Sequence, residues 1–289
     1  MADVAFFGTG LLGSGIVEGM LHRGESVVVW NRTIEKARAL EAFGAVVEPD
    51  AAKAAERGTR IHLCLTNDEA VDGVLATIAP RVPRGTLILD HSTVSPQGVV
   101  ARAQRLDALG LAFLHAPVFM SPESARVAKG IVLTSGPRAR FEKAKPFLER
   151  MTADLWYVGE AYDRAAIFKL LGNAMLIYVV QALADIFTLA KSVGIEPAEA
   201  HQLFAHFSAS GAIELRGRKM AAGDFAPHFE LETARKDAGL MLALADRAGA
   251  HLAGLPAIVE RMDALIAAGH GKDDLAVLGI DAAKTKTTS

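Results

Sequence analysis

Val4-Ala5-Phe6-Phe7-Gly8-Thr9-Gly10-Leu11-Leu12-Gly13 is the stretch on which the fold turns. Four apolar residues run into three glycines spaced i, i+2 and i+5, and a helical pattern follows, so the segment reads as strand, tight turn and helix. Gly8 permits the turn, Gly10 removes a side chain that would block a pyrophosphate, and Gly13 lets the helix pack closely on the strand. Thr9, Leu11 and Leu12 complete a loop whose helix-start amides face phosphate. In this context a weak glycine pattern becomes a dinucleotide-binding fingerprint.

Outward from it, short apolar runs at Ser26 to Trp30, Arg60 to Leu65, Thr86 to Asp90, Ala112 to Leu114 and Ile131 to Thr134 read as further strands. They alternate with helical patterns such as Thr33 to Phe43 and Pro96 to Leu109, which implies parallel strands joined by right-handed crossovers in a doubly wound α/β sheet. After Val158 the character changes. Asp163 to Lys191 holds almost no glycine or proline and reads as one long helix, followed by helices at about Pro197 to Phe207, Glu232 to Ala248 and Pro256 to Ala268. The expected organisation is a Rossmann-type domain at 1–161 and an all-helical domain at 162–289, with a polar, disordered tail from Ala283 to Ser289.

Composition narrows the function. In 289 residues there are 31 Lys+Arg against 33 Asp+Glu with no long run of either sign, so no nucleic-acid or anionic-membrane surface is expected and the partner is a small molecule. No uninterrupted apolar stretch of eighteen residues suggests a membrane span. The apolar Val4 to Met20 lacks a basic start and is broken by glycines, so it reads as folded protein instead of a leader. A single cysteine, Cys64, excludes an intrachain disulfide and suits a reducing cytoplasm. The nine histidines lack metal-site spacing, so no metal is expected.

The second strand ends in Val29-Trp30-Asn31-Arg32-Thr33, where an NAD enzyme usually places a carboxylate on the ribose hydroxyls. Arg32 instead offers a cationic fork suited to a 2′-phosphate, with Asn31, Thr33 and Lys36 as further donors, so NADP(H) is expected over NAD(H). The bland alternative makes Arg32 a solvated turn residue.

Together with Asp90-His91-Ser92-Thr93-Val94-Ser95-Pro96, Ala116-Pro117-Val118, Lys169 with Asn173, and Phe229-Glu230-Leu231 followed by Lys236-Asp237, these motifs occur in an order that resembles the β-hydroxyacid dehydrogenase family. Its members include 3-hydroxyisobutyrate dehydrogenase and tartronate semialdehyde reductase, within the 6-phosphogluconate dehydrogenase superfamily. The resemblance spans nearly the whole chain. It implies that Leu65 and Thr66 lie along the cofactor, Thr93 near the nicotinamide, and Lys236 against the cofactor from the helical domain. It also makes Lys169 the essential catalytic residue, and implies a homodimer or homotetramer built through the helical half.

The residues support that chemistry when read alone. A carbonyl that accepts hydride needs a proton donor beside the developing alkoxide, and Lys169 supplies one early on the long helix, where it is expected to face an interdomain cleft. Asn173, four residues on, shares its face and can hydrogen-bond substrate. Ser92 and Thr93 close a strand where ligand is expected, and double as an ordinary turn or cap.

One segment departs from the family pattern. Many members carry Ser-Gly-Gly where this chain has Phe119-Met120-Ser121, using backbone amides and a hydroxyl on the substrate carboxylate. Ser121 retains a hydroxyl, but two bulky apolar residues make the pocket greasier, unless both pack inward and leave it unchanged. The expected activity is NADP-preferring interconversion of a small 3-hydroxy acid and its semialdehyde. Imine reduction and non-catalytic NADPH binding are the alternatives, and Lys169 speaks against the imine reductases, which commonly carry Asp or Tyr there.

Overall fold

A computed structural model describes residues 1–283, so the polar tail expected from Ala283 onward lies, past Ala283 itself, outside the described residues. The chain divides into two compact units at Ala174/Met175, within the helix Arg164–Ser192. Lys169 and Asn173 therefore belong to the first unit.

Among the described residues the first unit holds nine strands: β1 (Ala2–Phe7), β2 (Val27–Trp30), β3 (Val46–Val47), β4 (Gly58–Leu63), β5 (Leu87–Asp90), β6 (Ala112–His115), β7 (Val118–Phe119), β8 (Ile131–Thr134) and β9 (Asp154–Tyr157). The first six form one parallel sheet in the order β3-β2-β1-β4-β5-β6. The order reverses beside β1, so the crevice at its carboxyl end, where Gly8 begins, is the switch point at which such sheets bind ligand. Alternation along β1 divides the core. Val4 and Phe6 enter one apolar cluster with Ile16, Val17 and Met20 of the helix Leu11–His22, whereas Ala5 and Phe7 enter another with Val71, Leu75 and Ile78 of the helix Asp68–Ile78. Helices on both faces explain why these strands read as unbroken apolar runs.

Ile131–Thr134 is a strand, as its β-branched run predicts, but it is not a seventh member of the parallel sheet. It lies in a second, three-stranded sheet, antiparallel to β7 and parallel to β9. The chain reverses at Ala116-Pro117, where the proline lacks the N–H that a ladder needs, and the Pro117 carbonyl accepts from Leu133 N at 2.9 Å instead. Two-residue strands such as β3 and β7 are too short for alternation to reveal.

The second unit is helical, with Pro197–His201, Leu203–His206, Ser210–Ala222, Leu231–Arg247 and Leu255–Leu265 its principal elements after the long helix. Ser210–Ala222 was not among the expected helices; its glycines and charges mask the period. Asp185 on the long helix accepts the N–H groups of Ala253, Gly254 and Leu255, each at 2.9 Å, and so caps the start of Leu255–Leu265. The long helix is long and apolar enough by length and composition to cross a membrane, with a mean hydropathy of 1.7 in its most apolar window, although it holds no uninterrupted apolar stretch of eighteen residues.

A chain of buried polar groups crosses the first core. Glu25 pairs with Arg60, whose Nε donates to His62 Nε2 at 3.2 Å. His62 Nδ1 stands 2.9 Å from His91 Nε2, and His91 Nδ1 is 2.7 Å from the Ala116 carbonyl. With arginine as the fixed donor at one end and a carbonyl as the fixed acceptor at the other, both imidazoles satisfy every contact when neutral and protonated on Nδ1. His115 Nε2 likewise donates to Ser92 O at 2.9 Å. Burial holds His62 well below the ordinary imidazole range, lowers His91, and brings His115 down to about 4.

His62 and His115 bind protons in the unfolded chain, but not in the folded one, between about pH 6.5 and 5, so stability falls as pH falls through that window, by up to about 1.4 kcal/mol per pH unit per histidine, and His91 adds in the same direction. Melting temperature should decline across it, and His115→Gln should decline less steeply; a flat profile for the wild type would contradict the neutral assignment.

Candidate functional site

Gly8 follows β1 at φ +100°, a backbone angle that side chains resist, and a Cβ there would collide with the Cys64 carbonyl. A Cβ on Gly13 would strike the Gly8 carbonyl oxygen, so the helix and the turn touch backbone to backbone. Around Gly10 the reverse holds. Nothing lies within 4 Å of the place its Cβ would take, and no side chain caps the helix Leu11–His22 that starts there. Its first-turn N–H groups are left facing that open space. The Thr9 hydroxyl is buried without a partner, and Thr9 N donates to Asn31 Oδ1 at 3.0 Å.

A cavity of about 530 Å³ opens beside this turn. It gathers Gly8, Gly10, Asn31, Arg32, Thr33, Leu65 and Thr66, all anticipated from the sequence, together with Lys36. Asn31 holds the turn after β2 by donating to Thr33 O at 2.8 Å. Arg32 is exposed and has neither hydrogen bond nor ion pair among the described residues, while residues 31–33 supply no carboxylate. Glu69, Asn67, Gly73 and Thr77 line another part of the wall and were not anticipated. Their signal was the Asn67-Asp68-Glu69 helix start, with Asn67 Oδ1 accepting from Ala70 N at 2.9 Å. The open space at Gly10, the orphaned hydroxyl of Thr9 and the uncapped helix start together fit a dinucleotide pyrophosphate.

Other expected residues take different places. Leu11 is exposed, and Leu12 packs against the core. Ser92 is buried and its hydroxyl accepts Leu65 N at 2.9 Å, so it shapes the turn after β4. Thr93 is exposed. The cap of the helix Pro96–Ala108 is Ser95. Cys64 has its thiol pushed up to about 12, chiefly by burial, which leaves it inert as a nucleophile.

Lys169 sits in the second turn of the helix Arg164–Ser192, half-buried. Its Nζ lies 4.0 Å from the centroid of the Phe119 ring, and no hydrogen bond or ion pair engages it among the described residues. Burial lowers its affinity for the proton below that of an ordinary lysine. Asn173, one turn on and also half-buried, has an equally unpaired side chain. Phe119 and Met120 part ways: Met120 packs inward against the β1 core, and Phe119 turns to Lys169. Ser121 caps the helix Pro122–Arg126, accepting Ser124 N at 3.1 Å. In the second unit Lys236 is exposed, 3.0 Å from Asp237.

Comparison with known proteins gives this arrangement a setting. Residues 3–159 match the family described as the NAD binding domain of 6-phosphogluconate dehydrogenase, and residues 164–279 match that described as NAD-binding of NADP-dependent 3-hydroxyisobutyrate dehydrogenase. The chain is 28% identical over 260 residues to glyoxylate/succinic semialdehyde reductase 2, chloroplastic, of Arabidopsis thaliana, covering 84% of this chain and 69% of that one. An imine reductase from Pseudomonas sp. superposes with a TM-score of 0.91 at 22% identity, covering 98% and 99% of the two chains. An imine reductase from Myxococcus stipitatus in complex with NADP+ does so with a TM-score of 0.90 at 21% identity, covering 96% and 98%. At such identities the likeness of these structures concerns the fold.

The two glycines should separate folding from binding. Gly10→Ala places a methyl in open space, so stability should stay within about 0.5 kcal/mol while dinucleotide affinity falls at least tenfold. Gly13→Ala forces the helix off the turn and should lower stability by about 1–3 kcal/mol. Thermal melts with and without NADPH decide this; a Gly10→Ala protein that binds normally contradicts the cradle.

Proposed function

The chain belongs to the 3-hydroxyisobutyrate dehydrogenase family, with a 6-phosphogluconate dehydrogenase-type NAD-binding domain at its start, and we propose that it interconverts a small semialdehyde and its 3-hydroxy acid. It is an NAD(P)-binding oxidoreductase. The observation that carries the finer reading is the pair Lys169 and Asn173, two half-buried polar side chains one turn apart with no hydrogen-bond or ion-pair partner among the described residues. Buried polar groups are ordinarily paired, and an unpaired pair on one helix face suits a substrate oxygen.

When bound, NADPH supplies the hydride that reduces the carbonyl carbon. Lys169 gives one proton from Nζ to the carbonyl oxygen, so no free alkoxide has to form. In the reverse direction the neutral amine takes that proton back, and burial, which lowers its proton affinity, makes the neutral form accessible. Asn173 donates to the same oxygen and orients it. Arg32, which has no carboxylate partner among the described residues, would hold the 2′-phosphate that distinguishes NADPH from NADH, with Thr33 and Lys36 beside it on the cavity wall.

Two variants measured side by side test the reading. Lys169→Ala should keep NADPH affinity and lose about 100-fold or more in turnover. Arg32→Ala should weaken NADPH by about ten- to a hundredfold, the worth of a charge-assisted contact, and leave NADH nearly unchanged. Lys236→Ala, by the family pattern, should act on NADPH binding before turnover. Near wild-type turnover in Lys169→Ala, or equal losses for the two cofactors in Arg32→Ala, would refute the corresponding assignment.

A second copy of the chain completes the proposal. Leu171, Leu176, Ile177, Tyr178 and Val180 all stand exposed along the long helix, more apolar surface than one helix leaves to water. A symmetric dimer or tetramer covers it. Light scattering without detergent should give at least twice the chain mass at micromolar concentration; a monomer, or a species that needs detergent, contradicts this.

A further inference from the structure

Phe119 is held from several directions. It pairs with Ile131 across β7 and β8, and it packs against the buried cluster of Leu133, Val158 and Ala165. Its ring also lies on Gly172, so tightly that a Cβ there would overlap the ring edge. Gly130 leaves room for the same strand, since at φ +106° a Cβ on it would stand 2.5 Å from the Phe119 carbonyl oxygen. With strand pairing on one side and helix backbone on another, the ring has little freedom, and its face is presented to Lys169 Nζ at 4.0 Å.

An aromatic face carries partial negative charge. It attracts an ammonium and repels a carboxylate, and it offers no hydrogen-bond donor to replace the water a carboxylate would lose. Ser121, the nearest hydroxyl along the chain, donates to Ser124 Oγ at 3.2 Å and accepts from Ser124 N, so its proton is already engaged. An ammonium has three donors, and the ring face takes only one direction, which leaves Lys169 able to meet a carbonyl oxygen while Phe119 lines the space beside it with hydrocarbon.

We infer that Phe119, held against Gly172 and over Lys169, is a specificity-determining residue that selects carbonyl substrates bearing hydrocarbon next to the carbonyl carbon. Any carboxylate on the substrate is then separated from the carbonyl by at least one methylene, and a carboxylate attached directly to the carbonyl carbon is disfavoured. This rests on the reading of Lys169 as the proton donor and narrows the substrate class for it.

The test uses the NADPH-loaded enzyme with three probes: glyoxylate, with its carboxylate on the carbonyl carbon; succinic semialdehyde, with two intervening methylenes; and uncharged butanal. The wild type should favour the last two by roughly 30-fold or more in kcat/KM. Phe119→Ser should cut that preference to about threefold by raising glyoxylate, while Phe119→Leu, which keeps the hydrocarbon bulk and guards against a folding defect, should retain most of it. In parallel, carbon-13 dimethylation should give Lys169 a ring-current-shifted methyl resonance that both variants lose. Turnover without discrimination, a change equal for all three probes, or an unshifted Lys169 resonance in the wild type overturns the role of Phe119 alone. A shifted resonance with no reduction of any probe overturns the aldehyde-reductase reading, and this inference with it.

Discussion

Backbone contact between Gly8 and Gly13 is the constraint from which the rest of the first unit follows. With no Cβ at either position, the helix Leu11–His22 descends onto the end of β1, and the chain between them has to turn its amides outward. The same turn is tied sideways to both neighbouring strands: Gly8 N donates to Trp30 O at 3.0 Å, and Cys64 N donates to Phe7 O at 2.9 Å. Arg32 and Leu65, which follow those neighbours, are therefore fixed relative to the phosphate cradle by the sheet itself. The place of the cradle is a consequence of strand order, and Arg32 stands exposed at its edge.

The surroundings of Lys169 depend on the core in a different way. The buried chain from Glu25 through Arg60, His62 and His91 ends on the Ala116 carbonyl, immediately before Pro117, Val118 and Phe119. It anchors the point at which the polypeptide leaves the parallel sheet and enters the second, smaller one. Phe119 is thus positioned by hydrogen bonds behind it and by Gly172 in front, and its ring face stands 4.0 Å from Lys169 Nζ. Burial lowers the lysine's proton affinity while the ring favours the charged form, so the two effects oppose each other on one ammonium.

Local pattern carried most of the architecture. Strands buried on both faces announce themselves as apolar runs, and the glycine spacing at residues 8, 10 and 13 defines the turn, so six of the nine strands and the long helix were legible, whereas Ser210–Ala222 was not. Partnership was not: Ile131–Thr134 has the composition of a strand, but nothing local says which sheet it joins. The same division runs through the candidate site. Asn31, Arg32 and Thr33 were readable because they follow a recognisable strand, Leu65 and Thr66 came only from the family resemblance, and one cavity collects all five. The contact of Phe119 with Lys169 joins residues fifty positions apart through the absence of a side chain at Gly172, which no periodicity encodes. Ser92, plausible as a ligand residue by position, has a hydroxyl that accepts Leu65 N, a partner that position alone does not reveal.

If Lys169 delivers the proton, as proposed, the pH dependence of a single turnover followed by rapid mixing of enzyme, NADPH and aldehyde reports it. The rate should be level near neutrality and fall about tenfold per pH unit above an apparent pKa lying below the ordinary lysine value of about 10.4. That limb should vanish in Lys169→Ala, leaving a slow, pH-independent rate. The same titration persisting in Lys169→Ala would assign the proton to another group and contradict the account.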